Sequence, residues 1–240
     1  MATHNVRLKK REEIAEGTMA FHFEKPDGFQ FKAGQFLNLT LLDPPEIDAK
    51  GNRRNFSIAS APEEEDLIVA TRMRDTAFKR VLKQMPLENK VKLAGPYGSF
   101  ILHGDQSRPA VFLTGGIGVT PFRSIVVHAA RNRLPHSLFL FYSNRRPEDT
   151  AFLDELRELE SENPNYKLIA TMTQVEKSQQ MWEGKTGSIN REMVAEIIPD
   201  LRAPVYYSAG PPEMVTAMRK MLEESGIAKD DIRTEDFAGY

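Results

Sequence analysis

The sequence predicts an all-β antiparallel barrel followed by an α/β domain built on a doubly wound parallel sheet. Two patterns carry this. Short segments of alternating polarity, broken by turn clusters, fill residues 1–104, and apolar runs alternate with amphipathic helical stretches through residues 105–240. Between them lies Gly104-Asp-Gln-Ser-Arg-Pro109, a polar, Gly/Pro-containing stretch that reads as an interdomain linker.

In the first half, Met19-Ala-Phe21-His-Phe23 alternates apolar and polar positions, the mark of a half-buried strand. Phe36–Leu41, Asp66–Thr71 and Val91–Leu93 follow as strands, with turns such as Lys25-Pro-Asp-Gly28 between them. One helix interrupts the series over Thr76–Gln84, with a polar residue placed to cap its start. In the second half, Ala110–Thr114 is a continuous apolar run, as expected of a strand buried on both faces. A helix over Pro121–Asn132 comes next. Strands at Leu138–Tyr142, Lys167–Thr171 and Val205–Ser208 then alternate with helices at Glu148–Glu160, Arg191–Ile197 and Pro212–Glu224. That order implies right-handed βαβ units, with ligands expected beyond the carboxyl ends of the strands.

Composition narrows the function. The chain has 240 residues, a formal net charge of −2 and 28% charged residues, which points away from nucleic acid or an anionic membrane as main partner. No apolar run approaches the roughly 20 residues needed to span a bilayer, and no hydrophobic segment follows the basic start, so a cytoplasmic protein is expected. There is no cysteine, which removes disulfides, thiolate metal sites, iron–sulfur clusters and thiol nucleophiles from these residues. The five histidines have no metal-ligand spacing, and no metal site is expected. Redox chemistry would therefore rest on a bound organic cofactor.

Two strand ends run through glycines into helices. In Gly115-Gly116-Ile117-Gly118-Val119-Thr120-Pro121, Thr120 is expected as the N-cap and Pro121 as the first helical residue, presenting free N–H groups to a pyrophosphate. A tight packing turn is the alternative. The second loop is Ala209-Gly210-Pro211-Pro212, weaker alone because Gly-Pro is common at helix starts. Together on one sheet edge they point to a dinucleotide. In the first half, Arg54-Asn55-Phe56-Ser57 sets a guanidinium beside an aromatic ring on one strand face, since residues i and i+2 point together. That pairing suits a ligand with a phosphate and a flat part.

These segments, in this order and over nearly the whole chain, resemble the ferredoxin–NADP reductase family of flavoproteins. Arg54-Asn55-Phe56-Ser57 is similar to the family's Arg-x-Tyr-Ser motif. The resemblance implies that Arg54 binds the FAD pyrophosphate, Phe56 lies on the flavin, and Ser57 bonds near flavin N5. Phe56 replaces the usual tyrosine, so a hydroxyl contact is lost. The stretch from Arg72 to Lys79 resembles the second flavin segment, with Thr71, Arg72 and Met73 passing the ring. Its helix start at Asp75-Thr76-Ala77-Phe78 would receive a phosphate, which favours FAD over FMN. Ala33-Gly34-Gln35-Phe36 and Gly95-Pro96-Tyr97-Gly98-Ser99-Phe100 match two further family segments. The two glycine loops would hold the nicotinamide dinucleotide, with Ala209 where the family usually has cysteine. The ending Glu235-Asp236-Phe237-Ala238-Gly239-Tyr240 resembles the aromatic tail that covers the flavin, with Phe237 favoured over Tyr240 as the lid and Glu235 near the flavin edge.

The resemblance thus implies a flavin-binding barrel, a nucleotide-binding domain, and hydride transfer from NAD(P)H to FAD, with Ser57, Glu235 and Phe237 at the reaction centre. Electrons would leave for a separate acceptor: ferredoxin, flavodoxin or an oxygenase component. A reductase using free flavin as substrate is the alternative, and a non-catalytic flavin- or nucleotide-binding subunit is a third reading. Thr173-Gln174 stands where members preferring NADPH carry Ser-Arg, which leans slightly to NADH. Ser143, Arg145 and Arg146 would instead serve a 2′-phosphate, or form a solvated loop. The oligomeric state is not indicated.

Overall fold

The computed structural model describes residues 3–237. The first half is a six-stranded antiparallel sheet: β1 (Thr3–Ala15), β2 (Thr18–Glu24), β3 (Phe36–Leu41), β4 (Arg53–Ser57), β5 (Asp66–Arg72) and β6 (Lys90–Tyr97). Helix α1 (Ala77–Gln84) lies between β5 and β6, and the strand order is β4-β3-β6-β1-β2-β5. Just past β4, Ile58 donates to Gln35 O and Ala59 to Ile68 O, so the chain bridges from β3 towards β5 and curls the sheet into a barrel. Inward positions such as Leu8, Phe21, Leu39, Val69 and Leu93 are fully buried, or within 1% of it, and α1 plugs one end with Phe78, Val81 and Leu82. Gly34 shows how tightly the barrel closes. Its φ is +96°, and a Cβ there would lie 2.1 Å from Phe100 O, so only glycine fits.

The second half contains β7 (Ala110–Gly115), α2 (Thr120–Arg131), β8 (Leu138–Asn144), α3 (Leu153–Glu162), β9 (Tyr166–Met172), the short β10 (Lys185–Thr186), α4 (Arg191–Ala195), β11 (Val205–Gly210), α5 (Pro212–Glu224) and β12 (Ile232–Asp236). All pairings are parallel, in the order β10-β9-β8-β7-β11-β12. The chain steps outward from β7 through β8 and β9, then returns to the other side of β7 with β11. The switch point therefore falls between β7 and β11, the two strands that end in the glycine loops. One face packs Phe112, Tyr142 and Tyr207 against α2 and α3; the other packs Val111, Phe141 and Tyr206 against α4 and α5.

Three sequence expectations change, and one strand is added. The helix expected over Glu148–Glu160 is broken: Pro147–Asp149 forms a 3-10 turn, Phe152 takes φ +59°, and α3 begins only at Leu153. The break lets Asp149 reach Arg72 and Arg146 while Phe152 packs under Arg123 at 5.0 Å. Thr120 is not an N-cap. A 3-10 turn over Gly116–Val119 precedes it, Thr120 is itself helical, and its hydroxyl donates back to Ile117 O. Gly116, at φ +55°, turns the chain one step earlier than expected. β1 has no sequence forecast, because Lys9–Glu13 hide an alternation carried inward by Val6 and Leu8, and a register shift follows Leu8. The ending expected as a tail is partly a strand, β12, pairing Glu235 with Ala209.

The two halves are joined by a buried charge cluster. Arg123 of α2, only 4% exposed, donates to Ala59 O at 2.7 Å and Glu64 at 2.9 Å in the barrel half, and to Glu155 of α3 at 2.7 Å. Ser124 adds a 2.7 Å bond to Ser60 O. Glu64 is held below the usual carboxylate range: Arg123 and the Ala61 N–H together outweigh the opposing effect of burial. Arg123→Met should leave the largely buried Glu64 carboxylate with only the Ala61 N–H and Arg131, 4.0 Å away, at a cost of about 3–5 kcal/mol. Denaturant unfolding at neutral pH measures this, and a loss below about 1 kcal/mol would contradict the role assigned to the cluster.

Candidate functional site

Between the barrel and the carboxyl ends of β7 and β11 lies a cavity of about 940 Å³. Its walls come from β4, β5, the first turn of α1, the 43–51 loop, the first glycine loop through Ile117 and Thr120, and the end of β12. Both halves thus contribute, and β4 supplies one wall because its pleat turns Arg54 and Phe56 to a common side. Arg54 sits 5.0 Å over the Phe78 ring, and Phe56 is 6.0 Å from the same ring.

The site residues expected from sequence do not all fall in one place. Arg54, Asn55, Phe56 and Ser57, then Thr71, Arg72, Asp75, Thr76 and Ala77, and finally Thr120, Glu235 and Phe237 all line this cavity. Phe78 and Met73 stand behind the wall, within or against the barrel core. The glycine loops flank the opening. A Cβ on Gly118 would lie 2.4 Å from Ala209 O and 2.6 Å from the Gly210 Cα, so the two loops touch and this glycine serves packing. Gly115, Val119, Pro121, Pro211 and Pro212 support these turns without facing the cavity. Ser143, Arg145 and Arg146 lie outside it; Arg146 pairs with Asp149 at 3.0 Å and Glu16 at 2.7 Å, which makes it an interdomain contact. Tyr240 falls outside the described residues.

The polar groups at the site differ in how well they are satisfied. Ser57 Oγ is buried with no hydrogen-bond partner among the described residues, which is costly unless a ligand completes it. Glu235 Oε2 is in the same condition. Burial pushes the Glu235 carboxyl up to about 7. Thr76 caps α1, accepting from Lys79 N at 3.3 Å. Arg54 is heavily engaged: its guanidinium takes both oxygens of Asp48, at 2.7 and 2.9 Å, and reaches the carbonyls of Lys50, Gly51 and Arg53. Phe237 N donates to Gly210 O at 3.0 Å, which seats the ring at the end of β12 beside the second glycine loop.

Several cavity residues have no sequence forecast. The 43–51 loop covers one side through Glu46, Ile47 and Asp48, tied down by Arg80–Glu46 and Arg54–Asp48 pairs. Lys79 and Arg80 line the cavity from α1. Lys79 closes the stretch that resembles the second flavin segment, while Arg80 has no forecast; their spacing of three and four from Thr76 places them over the helix start.

A barrel with an aromatic–arginine strand, joined to a parallel sheet with two glycine turns at its switch point, defines a two-domain flavin- and dinucleotide-binding oxidoreductase. Comparisons agree. Residues 5–101 match the oxidoreductase FAD-binding domain, and residues 112–220 match the oxidoreductase NAD-binding domain. The chain belongs to the ferredoxin–NADP reductase family. It is 28% identical to the reductase component of propane 2-monooxygenase from Rhodococcus jostii over 89% of its length and 57% of that relative. It is 27% identical to the glycine betaine monooxygenase reductase subunit of Chromohalobacter salexigens, over 98% of the chain and 64% of the relative. The chain thus spans about three fifths of these relatives. Its fold matches a ferredoxin NADP+ reductase from Neisseria gonorrhoeae with bound FAD and NADP, at a TM-score of 0.82, 21% identity and 98% coverage of each chain.

Glu235 gives a pH test of this geometry. Its carboxyl titrates higher in the folded protein than in the unfolded chain, so its charged form opposes folding. That penalty is absent below the ordinary carboxylate pKa, grows as pH rises, and is complete above about pH 7. Glu235→Gln should therefore raise the melting temperature at about pH 8 and leave it nearly unchanged at about pH 4.5. Equal melting temperatures at both would mean that the carboxylate is not desolvated.

Proposed function

We propose that the chain is the electron-entry unit of a reductase, holding FAD in the interdomain cavity, accepting hydride from NAD(P)H and passing electrons to a separate acceptor protein. The observation that carries this reading is the orphaned Ser57 Oγ, buried on a wall shared by Phe56, Thr120 and Phe237 from opposite halves of the molecule. When bound, FAD supplies the hydride-accepting ring, and the protein's part is alignment and electrostatics. Ser57 would satisfy a polar atom on the ring, Phe56 would lie against its face, and Arg54, with the Thr76 helix start, would hold the phosphates. The touching glycine loops would receive the dinucleotide, and Phe237 would stand where the nicotinamide must enter. Glu235, holding a proton near neutrality, is placed to exchange one with bulk water at the cavity's edge. The kinship with monooxygenase reductase components supports an oxygenase as the acceptor.

One observation favours a second reading, in which flavin is an exchangeable substrate. Asp48 already occupies Arg54, so a diphosphate must displace a bidentate carboxylate. Flavin content after gel filtration separates the two. Near-stoichiometric FAD supports the first reading, whereas colourless protein that still reduces added flavin with NADH supports the second. Protein that binds no flavin and oxidises no nicotinamide would contradict both.

Two further outcomes are expected. Phe237→Ala should change KM for the nicotinamide by several-fold with FAD content unchanged; wild-type kinetics would remove the lid role. NADH should exceed NADPH in kcat/KM, because Arg146 is committed to Asp149 and Glu16 and Thr173-Gln174 offers no guanidinium. A strong NADPH preference would overturn that assignment.

A further inference from the structure

Lys79 is a cation in an unfavourable place. It is the third residue of α1, in a first turn with no acidic side chain, where the helix dipole repels positive charge. It is half-buried and lines the cavity, and its ammonium donates to the Arg72 carbonyl at 2.6 Å. The charges around it add to the problem. Arg54 faces it from β4, Arg74 from the turn before α1, and Lys50 from the covering loop, all of the same sign. Lys83 lies one turn further along the helix.

The nearby carboxylates do not relieve this. Asp48 is taken by Arg54, and both Glu46 and Asp75 are taken by Arg80. Glu235 and Asp236 belong to the other half of the molecule, at the end of β12. The result is a cavity wall with excess positive charge that the protein itself leaves uncompensated. A few residues along the same lining, Ser57 Oγ is buried with no partner among the described residues, so this wall has one cation without a counter-charge and one polar atom without a hydrogen bond.

We infer that Lys79 is a diphosphate-binding residue, and that FAD enters this cavity together with a proton taken up by the Lys79 amine. The inference rests on the flavin reading of the cavity and deepens it. Burial, then repulsion from Arg74, Arg54 and Lys50, lowers the Lys79 amine to about 8. A diphosphate beside it would favour the charged form and raise that value again. Below about pH 7 the amine is already protonated and binding needs no proton. Above about pH 8 the free protein carries it increasingly neutral, so binding must draw a proton from solution and affinity must fall. The proton comes from buffer and no covalent bond to the ligand forms.

The test titrates flavin-stripped full-length protein with FAD, by calorimetry in two buffers of different ionisation enthalpy, at about pH 7 and about pH 9. The expected result is roughly tenfold weaker FAD binding at the higher pH, with close to one proton taken up there and almost none at the lower. Riboflavin, which lacks phosphates, should show neither effect. Lys79→Arg, which cannot lose its charge in this range, should bind FAD without pH dependence, and Lys79→Met should weaken FAD but not riboflavin. Because the wild-type proton count needs no variant, misfolding of a mutant leaves the test intact. FAD binding with the same affinity and no proton uptake at both pH values would overturn the inference while leaving the flavin reading standing. Failure of the wild-type protein to bind FAD at either pH would overturn both.

Discussion

The arrangement of the cavity depends on one buried guanidinium. Arg123 comes from the α/β half, yet it satisfies a backbone carbonyl and a carboxylate of the barrel half while holding Glu155 on its own side. An arginine this buried is stable only with every donor answered, and the answering groups come from both halves. Its geometry therefore sets the angle at which the barrel meets the sheet. A second cluster, Arg72–Asp149–Arg146–Glu16, repeats the device at another edge. Between the two clusters the apolar contact of Ala33, Ala61 and Phe100 with Phe112, Phe122 and Tyr207 supplies area but little direction. The charged clusters supply the direction, and with it the distance between Ser57 and the glycine loops.

Within that frame the cavity is graded along its length. At the barrel end, Lys50, Arg54, Lys79 and Arg80 concentrate positive charge at a helix start, which suits phosphates. Towards the second domain the lining turns to Phe56, Ala70, Ile117 and Phe237, with single polar atoms from Ser57 and Glu235. That gradient, from multiply cationic to mostly apolar, matches a ligand with a diphosphate at one end and a flat heterocycle at the other. It also explains why two carboxylates of the 43–51 loop bind back onto Arg54 and Arg80. Cations arranged for an anionic guest attract the nearest anion the chain itself offers.

How much of this was legible depended on range along the chain. The Arg54–Ser57 strand and both glycine turns could be read because their chemistry is compressed into runs of four to eight residues whose spacing has a geometric meaning. The parallel βαβ order followed from the strand–helix alternation, whereas the strand order, and with it the switch point between β7 and β11, is set by packing that no short segment encodes. The break before α3 could not be read, because it is imposed by Asp149 reaching Arg72, 77 residues away. For the same reason the 43–51 loop gave no signal: its role appears only when Glu46 meets Arg80 across 34 residues. Lys79 was visible as the end of the Arg72–Lys79 stretch but not as a cation on the cavity wall, since a lysine in an amphipathic helix ordinarily belongs to the solvated face. Arg123 carried a mild clue, a lone charge in the apolar run Phe122-Arg123-Ser124-Ile125-Val126-Val127, which marks either a buried pair or a misread helix face.

If the two halves are held so that a nicotinamide on the glycine loops meets a flavin against Ser57, electron entry must be direct and rapid. Anaerobic stopped-flow mixing of the FAD-loaded protein with NADH, and with NADH deuterated at the transferred position, measures that step. Complete loss of the visible flavin absorbance is expected, slowed several-fold by deuterium. Retention of the flavin absorbance at saturating NADH and NADPH would contradict it.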